Sequence, residues 1–171
     1  MLGPTNRTIQ LANDANALPV DVQSAGITIS QTPTITAGAY AAGQNVGGLL
    51  TFASAARQTG GGGVIKSMEI IDDASQSVQL ELWLFNQTFT AGADTAAWTP
   101  VEAELENLVC VISTAAGIYY TGGATATVCD VEISKRYDVV GTSLFGRMVT
   151  RGAPTYAATD DLTVKIGLLQ D

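Results

Sequence analysis

The side chains able to do chemistry are few and scattered. Histidine is absent from all 171 residues, which removes the group that most often moves protons near neutral pH and the commonest metal ligand. Serines and threonines are many, but a hydroxyl nucleophile needs an adjacent base. Only a lysine, Lys66 or Lys165, is offered for such a pairing, and no motif surrounds either. The run Gly60-Gly61-Gly62-Gly63-Val64-Ile65-Lys66-Ser67 has the outline of a phosphate-cradling loop. It fails in detail: Ile65 stands where glycine must precede the lysine, and the glycines lead into a strand rather than open a helix. It reads as a loop from Arg57 to Gly63, mobile or closely approached by a neighbour.

Carboxylates occur as Asp72-Asp73, Asp160-Asp161 and the cluster Glu102, Glu104 and Glu106. Glycosidase acids must face each other across a sugar, and calcium loops need oxygen ligands at defined offsets. Neither spacing is present. The aspartate pairs fit turns at strand ends and the glutamates a solvated helix face, with weak calcium binding left as an alternative. Lys135 with Arg136, and Arg147 with Arg151, read as surface charges or partner contacts. Trp83, Phe85, Trp98, Tyr119, Tyr120, Tyr137 and Tyr156 are core or interface aromatics, with a sugar-stacking platform as the rival reading. No catalytic group, cofactor or metal is expected, and the chain is expected not to be an enzyme.

Composition narrows the partners. A formal charge of −8 and a pI near 4.3 repel polyphosphates, so direct nucleic-acid binding is disfavoured. Only 14% of residues are charged, below the typical ~25%, as suits an exterior partly covered by neighbours. No apolar run is long enough for a membrane helix, and the first residues show no secretory signal, so synthesis and folding in the cytoplasm are expected. Cys110 and Cys129 are expected to be reduced packing residues, a bridge between neighbouring strands remaining the alternative.

The elements that must position these groups are strands. Residues 1–26, with no sustained period, read as an extended arm, and residues 27–171 as a single β-sandwich domain. Alternation marks strands at 27–36, weakened by Pro33, and at 46–52, 64–72 and 77–85. In the last of these, Val78, Leu80, Leu82 and Leu84 share a core face, while Gln79, Glu81, Trp83 and Phe85 share the other. Thr99-Pro100-Val101-Glu102 predicts a short capped helix. Strands resume at 108–113, 118–120, 124–133, 137–140, 143–150 and 162–169. The pattern predicts an all-β fold, an antiparallel β-sandwich of jelly-roll-like topology, with one short helix and the N-terminal arm.

Residues 63–72, the run Val78-Gln79-Leu80-Glu81-Leu82-Trp83-Leu84-Phe85-Asn86, Ala93-Asp94-Thr95-Ala96-Ala97-Trp98, and above all Leu144-Phe145-Gly146-Arg147-Met148-Val149-Thr150-Arg151 onward through residue 171 resemble a family of small tailed-bacteriophage virion proteins. The likeness spans roughly residues 60–171. The cysteine pair and the glycine-rich loop depart from it. Members usually have no assigned activity, and the resemblance implies a head-associated structural protein: decoration or cement on the capsid exterior, assembled in the host cytoplasm. The implied partners are the major capsid protein and further copies of the chain, as a homotrimer, with no membrane and a host glycan as a possible ligand. The expected contact residues are Leu2, Ile9, Leu11, Leu18 and Val20 of the arm, with Trp98, Tyr119 and Tyr120. A tail or neck component and a host-glycan-binding module are the alternatives.

Overall fold

The computed structural model describes residues 25–122 and 126–171. The expected arm contacts, Leu2, Ile9, Leu11, Leu18 and Val20, lie outside them. The chain runs through β1 (Ala25–Gln31), β2 (Asn45–Phe52), β3 (Gly62–Asp72), β4 (Leu80–Phe85), α1 (Glu102–Leu105), β5 (Leu108–Ser113), β6 (Tyr119–Thr121), β7 (Thr127–Asp138), β8 (Leu144–Thr150) and β9 (Leu162–Gln170). One sheet has the order β1-β9-β3-β7-β6 and the other β2-β8-β4-β5, every neighbouring pair antiparallel.

That order is a jelly roll. The pairs β1–β9, β2–β8, β3–β7 and β4–β5 are successive rungs of one antiparallel ribbon, rolled so that alternate rungs fall in opposite sheets. β6 extends the first sheet beyond β7. The two-residue period decides which side chains meet between the sheets: Leu80, Leu82 and Leu84 from β4 and Leu162, Val164, Ile166 and Leu168 from β9 are all buried there. In β3 the inward set is Ile65, Met68 and Ile70, out of step by one. Lys66 is the cause, an extra residue in a bulge against β9 that is skipped between Ile65↔Leu168 and Ser67↔Gly167. Truncating one of these buried leucines to alanine costs roughly 2–5 kcal/mol.

Several expectations are corrected. The first strand starts at Ala25, inside the stretch assigned to the arm, and ends at Gln31, before Pro33. The strand expected over 77–85 begins at Leu80, because Asp72 organises the chain before it, accepting from Ala74 N–H at 3.1 Å and Ser77 N–H at 2.8 Å. The separate strands expected at 124–133 and 137–140 are one, β7, with Lys135 and Arg136 inside it. The helix is capped at Val101 rather than Thr99, with Glu104 accepting from Val101 N–H at 3.1 Å. Gly62 and Gly63 belong to β3, where an added Cβ would collide with the Tyr137 and Leu169 carbonyl oxygens. Close approach, and not mobility, is the reason for glycine there. Cys110 on β5 and Cys129 on β7 lie in different sheets and are free thiols, so the bridge between neighbouring strands does not form. Burial pushes the Cys110 thiol up to about 11 and raises that of Cys129 as well.

Candidate functional site

The outward face of the β2-β8-β4-β5 sheet is covered by the loop 86–99. Trp83 and Phe85 point away from the core on β4, and the loop returns Phe89 and Trp98 over them. Trp83 and Trp98 meet edge to face at 5.6 Å between centroids, and Phe85 and Phe89 lie 4.2 Å apart. Such pairs add roughly 0.5–1.5 kcal/mol each beyond the area they bury. Trp98 is therefore half-buried in an aromatic cluster. Tyr137 and Tyr156 are core residues of the sandwich, so the seven aromatics do not share one surface, as the rival sugar-platform reading required.

Beside Trp83 in the ladder stands Arg147 of β8. It is not a surface charge: its exposure is 0%. The guanidinium donates to the carbonyl of Gly47 and, at 2.6 Å, to that of Gly92, so it ties the covering loop to the β2 bulge, where the register against β8 shifts between Val46 and Leu50. Burial depresses its pKa while the nearby Asp94 charge opposes that pull, and an arginine stays charged at such a site. Asp94 completes the arrangement. It accepts from Gly47 N–H at 2.7 Å, from Thr36 N–H at 2.7 Å and Oγ1 at 2.6 Å, and from the Tyr40 hydroxyl at 2.9 Å. Burial pushes this carboxyl up, but the donors overcome it and hold it below the ordinary aspartate value. The same contact, with burial as the larger cause, lifts Tyr40 to about 12.

Asn45, at the start of β2, is fully buried and fastens the loop again. Its Nδ2 donates to Ala93 O at 3.1 Å, and its backbone N–H and C=O pair with Ala96 and Thr95. Glu104 reaches across from α1 to accept Thr90 N–H at 3.0 Å, so it is a tether and not part of a solvated face. Between these parts lies a cavity of about 240 Å³, walled by Asn45, Thr90, Gly92, Trp98, Thr99 and Glu104 among others. Two polar atoms of its wall residues are buried without a partner, Asn45 Oδ1 and Trp98 Nε1. Leaving such a group unsatisfied costs about 1–3 kcal/mol.

The opposite sheet carries the other expected contacts. Tyr119 is half-buried on β6, its hydroxyl donating to Val78 O at 2.8 Å, and burial lifts it to about 12. Tyr120 faces outward, 63% exposed, next to Ile118 at 66%. These two do not share a surface with Trp98, which covers the other sheet. Lys165 is held by Glu69 in an ion pair, and among the described residues no hydrogen bond joins Lys66 or Lys165 to a hydroxyl. Asp161 accepts from Ala157 and Ala158 N–H, both at 2.8 Å, which is turn chemistry, as it is for Asp72. Among the described residues no group of three or more acidic or cysteine side chains is placed to hold a metal ion.

Sequence reasoning missed Asn45, Gly47 and Asp94 and misread Glu104 and Arg147. A signal existed for the last: it is the only charge between Leu144 and Thr150, in a strand otherwise apolar enough to be buried on both faces. Comparison with protein-family models, with curated proteins and with solved structures finds no match to this chain.

Proposed function

We propose that this protein is a structural component of a bacteriophage particle that decorates and stabilises the outer surface of the capsid, binding major capsid protein subunits and its own copies. The observation that carries the reading is the open edge of the five-stranded sheet. β6 is only three residues long, has no partner beyond it among the described residues, and carries the exposed Tyr120 beside the exposed Ile118 that precedes it. Exposed apolar and aromatic side chains on an unpaired strand are what adhesion between protein surfaces uses. The buried Arg147 and Asp72 and the half-buried Asp94 are engaged in tethers to the backbone, Asp94 also to the Thr36 and Tyr40 hydroxyls. The resemblance over residues 144–171 supplies the phage setting, and the acidic composition suits the outside of a particle better than its DNA-facing interior. Many weak, identical contacts across a shell give strength by number.

The test is quantitative mass spectrometry of purified particles together with re-decoration of stripped shells by the protein. Copies in fixed proportion to the major capsid protein are expected, and a variant lacking residues 1–24 is expected to fold but to decorate incompletely. A handful of copies per particle would place the protein in a tail or neck and overturn the capsid reading.

A further inference from the structure

We propose that β5 is a self-docking edge: two copies of the chain pair β5 against β5, antiparallel about a two-fold axis, and join their four-stranded sheets into one continuous sheet. This deepens the contact between copies named in the proposed function and rests on that part of it alone.

The observation is the distribution of charge over the strands. β3, β4, β7, β8 and β9, inside their sheets, each carry at least one charged residue, whereas the strands at the sheet edges, β1, β2, β5 and β6, carry none. That reverses the usual arrangement, in which charges, lysine above all, keep edges from pairing. Three of these edges are blunted in other ways. β2 is covered at its start by the returning loop, where Ala96 and Thr95 take the Asn45 N–H and C=O. β6 has three residues, too few for a ladder of its own. β1 exposes only Gly26, Thr28 and Ser30, none of them large and apolar. β5 has no such protection along most of its length. It is six residues without a charge or a proline, apolar from Leu108 to Ile112, with Val111 38% exposed and Leu105, just before the strand, 40%. A register shift bends its first end and leaves Cys110 to Ser113 regular. Among the described residues no strand lies beyond it. β5 packs on β7, the neighbour of β6, while β1 packs on β2, so the exposed Ile118 and Tyr120 lie on the same side of the sandwich as the β5 edge.

Charge also decides the occupant. Copies of a chain of net charge −8 repel wherever carboxylates face each other, but the stretch from Asn107 to Cys129, which contains β5 and β6, has no charged residue. A strongly charged partner finds nothing there to pair with. An identical strand turned antiparallel brings equal length, donors against acceptors, and apolar side chains opposite apolar side chains.

The purified full-length protein, free of shells, is weighed by light scattering over a micromolar to submillimolar concentration series. A mass that rises with concentration toward twice 17.7 kDa is expected. Val111→Lys sets like charges against each other across the joined edge and is expected to weaken dimerisation at least about tenfold. Leu49→Lys, on the edge strand β2 at the far side of the same sheet, is expected to leave the dimer as it was. In the unaltered protein, amide hydrogen exchange at Cys110 to Ser113 is expected to slow as concentration rises. A monomer at every concentration, a mass that settles at three copies, or a dimer untouched in a folded Val111→Lys would overturn the proposal. So would an equal loss in Leu49→Lys, which would mean a head-to-tail contact of β5 with β2, or a dimer that forms only when residues 1–24 are removed, which would make that segment the cover of the edge. Should Val111→Lys fail to fold, the exchange measurement decides. With no shell present, a failure here leaves the capsid reading standing, and a low copy number on particles sinks that reading without touching the dimer.

Discussion

Arg147 and Asp94 grip the same residue from two sides: the guanidinium takes the carbonyl of Gly47, and the carboxylate takes its N–H at 2.7 Å. The two opposite charges never touch through a direct hydrogen bond, yet the β2 bulge between them is fastened both to β8 and to the loop that covers it. Long-range order in this corner thus passes through one glycine. Its left-handed φ of +76° aims the two peptide groups in these directions.

Replacing the arginine tests the tether. Arg147→Met fills similar space but leaves the Gly47 and Gly92 carbonyls without donors, and a loss of about 3 kcal/mol in unfolding free energy is expected. Chemical denaturation measures it; a loss below about 0.5 kcal/mol would mean that the tether carries no net stability.

Acid should weaken the same corner. The Asp94 carboxyl is held below its ordinary value in the fold, so it contributes stability above the unfolded value near ~4, and that contribution is lost as pH falls through the folded one. Asp72 runs the other way: burial first, and the Asp161 charge last, raise it against its backbone hydrogen bonds, so the fold holds its proton more tightly and stability falls as pH rises through that window. Denaturation midpoints measured in steps from mildly acidic pH downward should lose part of their acid sensitivity in Asp94→Asn and gain it in Asp72→Asn. An unchanged profile in Asp94→Asn would remove the carboxylate from this role.

Two adjacent glycines make a matched pair. At Gly47 an added Cβ would sit 2.7 Å from Pro33 Cβ on a left-handed backbone, whereas at Gly48 it meets open space. Gly47→Ala is expected to cost at least about 2 kcal/mol, and Gly48→Ala to stay within about 0.5 kcal/mol. Thermal unfolding of the two variants side by side gives the answer.

On β6 the neighbouring tyrosines should separate folding from adhesion. Tyr119→Phe loses the bond to Val78 O and about 1 kcal/mol of stability. Tyr120→Ser leaves stability within about 0.5 kcal/mol, because the ring is exposed. It is nevertheless expected to reduce the occupancy of stripped shells. Unchanged occupancy would take β6 out of the contact surface.

Much of the sandwich was legible because strict alternation has one physical meaning. Residues 108–113 were placed without error, and β8 and β9 to within one residue at an end, since β9 is an unbroken period-two run and β5 and β8 are short, mostly apolar runs bounded by polar residues or glycine. The misplacements came where side chains capture the backbone. Asp72 holds residues 74–77 in a turn that their apolar pattern does not reveal, and Glu104 moves the helix cap to Val101. The fusion of two expected strands into β7 follows from β3, whose length gives every residue from Thr127 to Asp138 except Ile133 and Ser134 a place along one edge. The cavity was least legible. Trp98 and Asn45 stand 53 positions apart in the chain, and only the return of the loop over the sheet makes them neighbours. Trp98 as an aromatic of interest was within reach of the sequence, but a buried asparagine with a spare acceptor was not.

The rolled ribbon also sets a timetable for synthesis. Among the described residues β1 pairs with no strand but β9, and β2 with none but β8, so these two strands are made well before the partners they need. Until β9 has emerged, β1 has no partner among the described strands and β3 carries an open side where β9 belongs. Chains stalled or truncated before residue 162 would expose those unfilled edges to one another. Non-local closure of this kind is slow, which makes the final nine-residue strand the keystone of the whole shell of sheets.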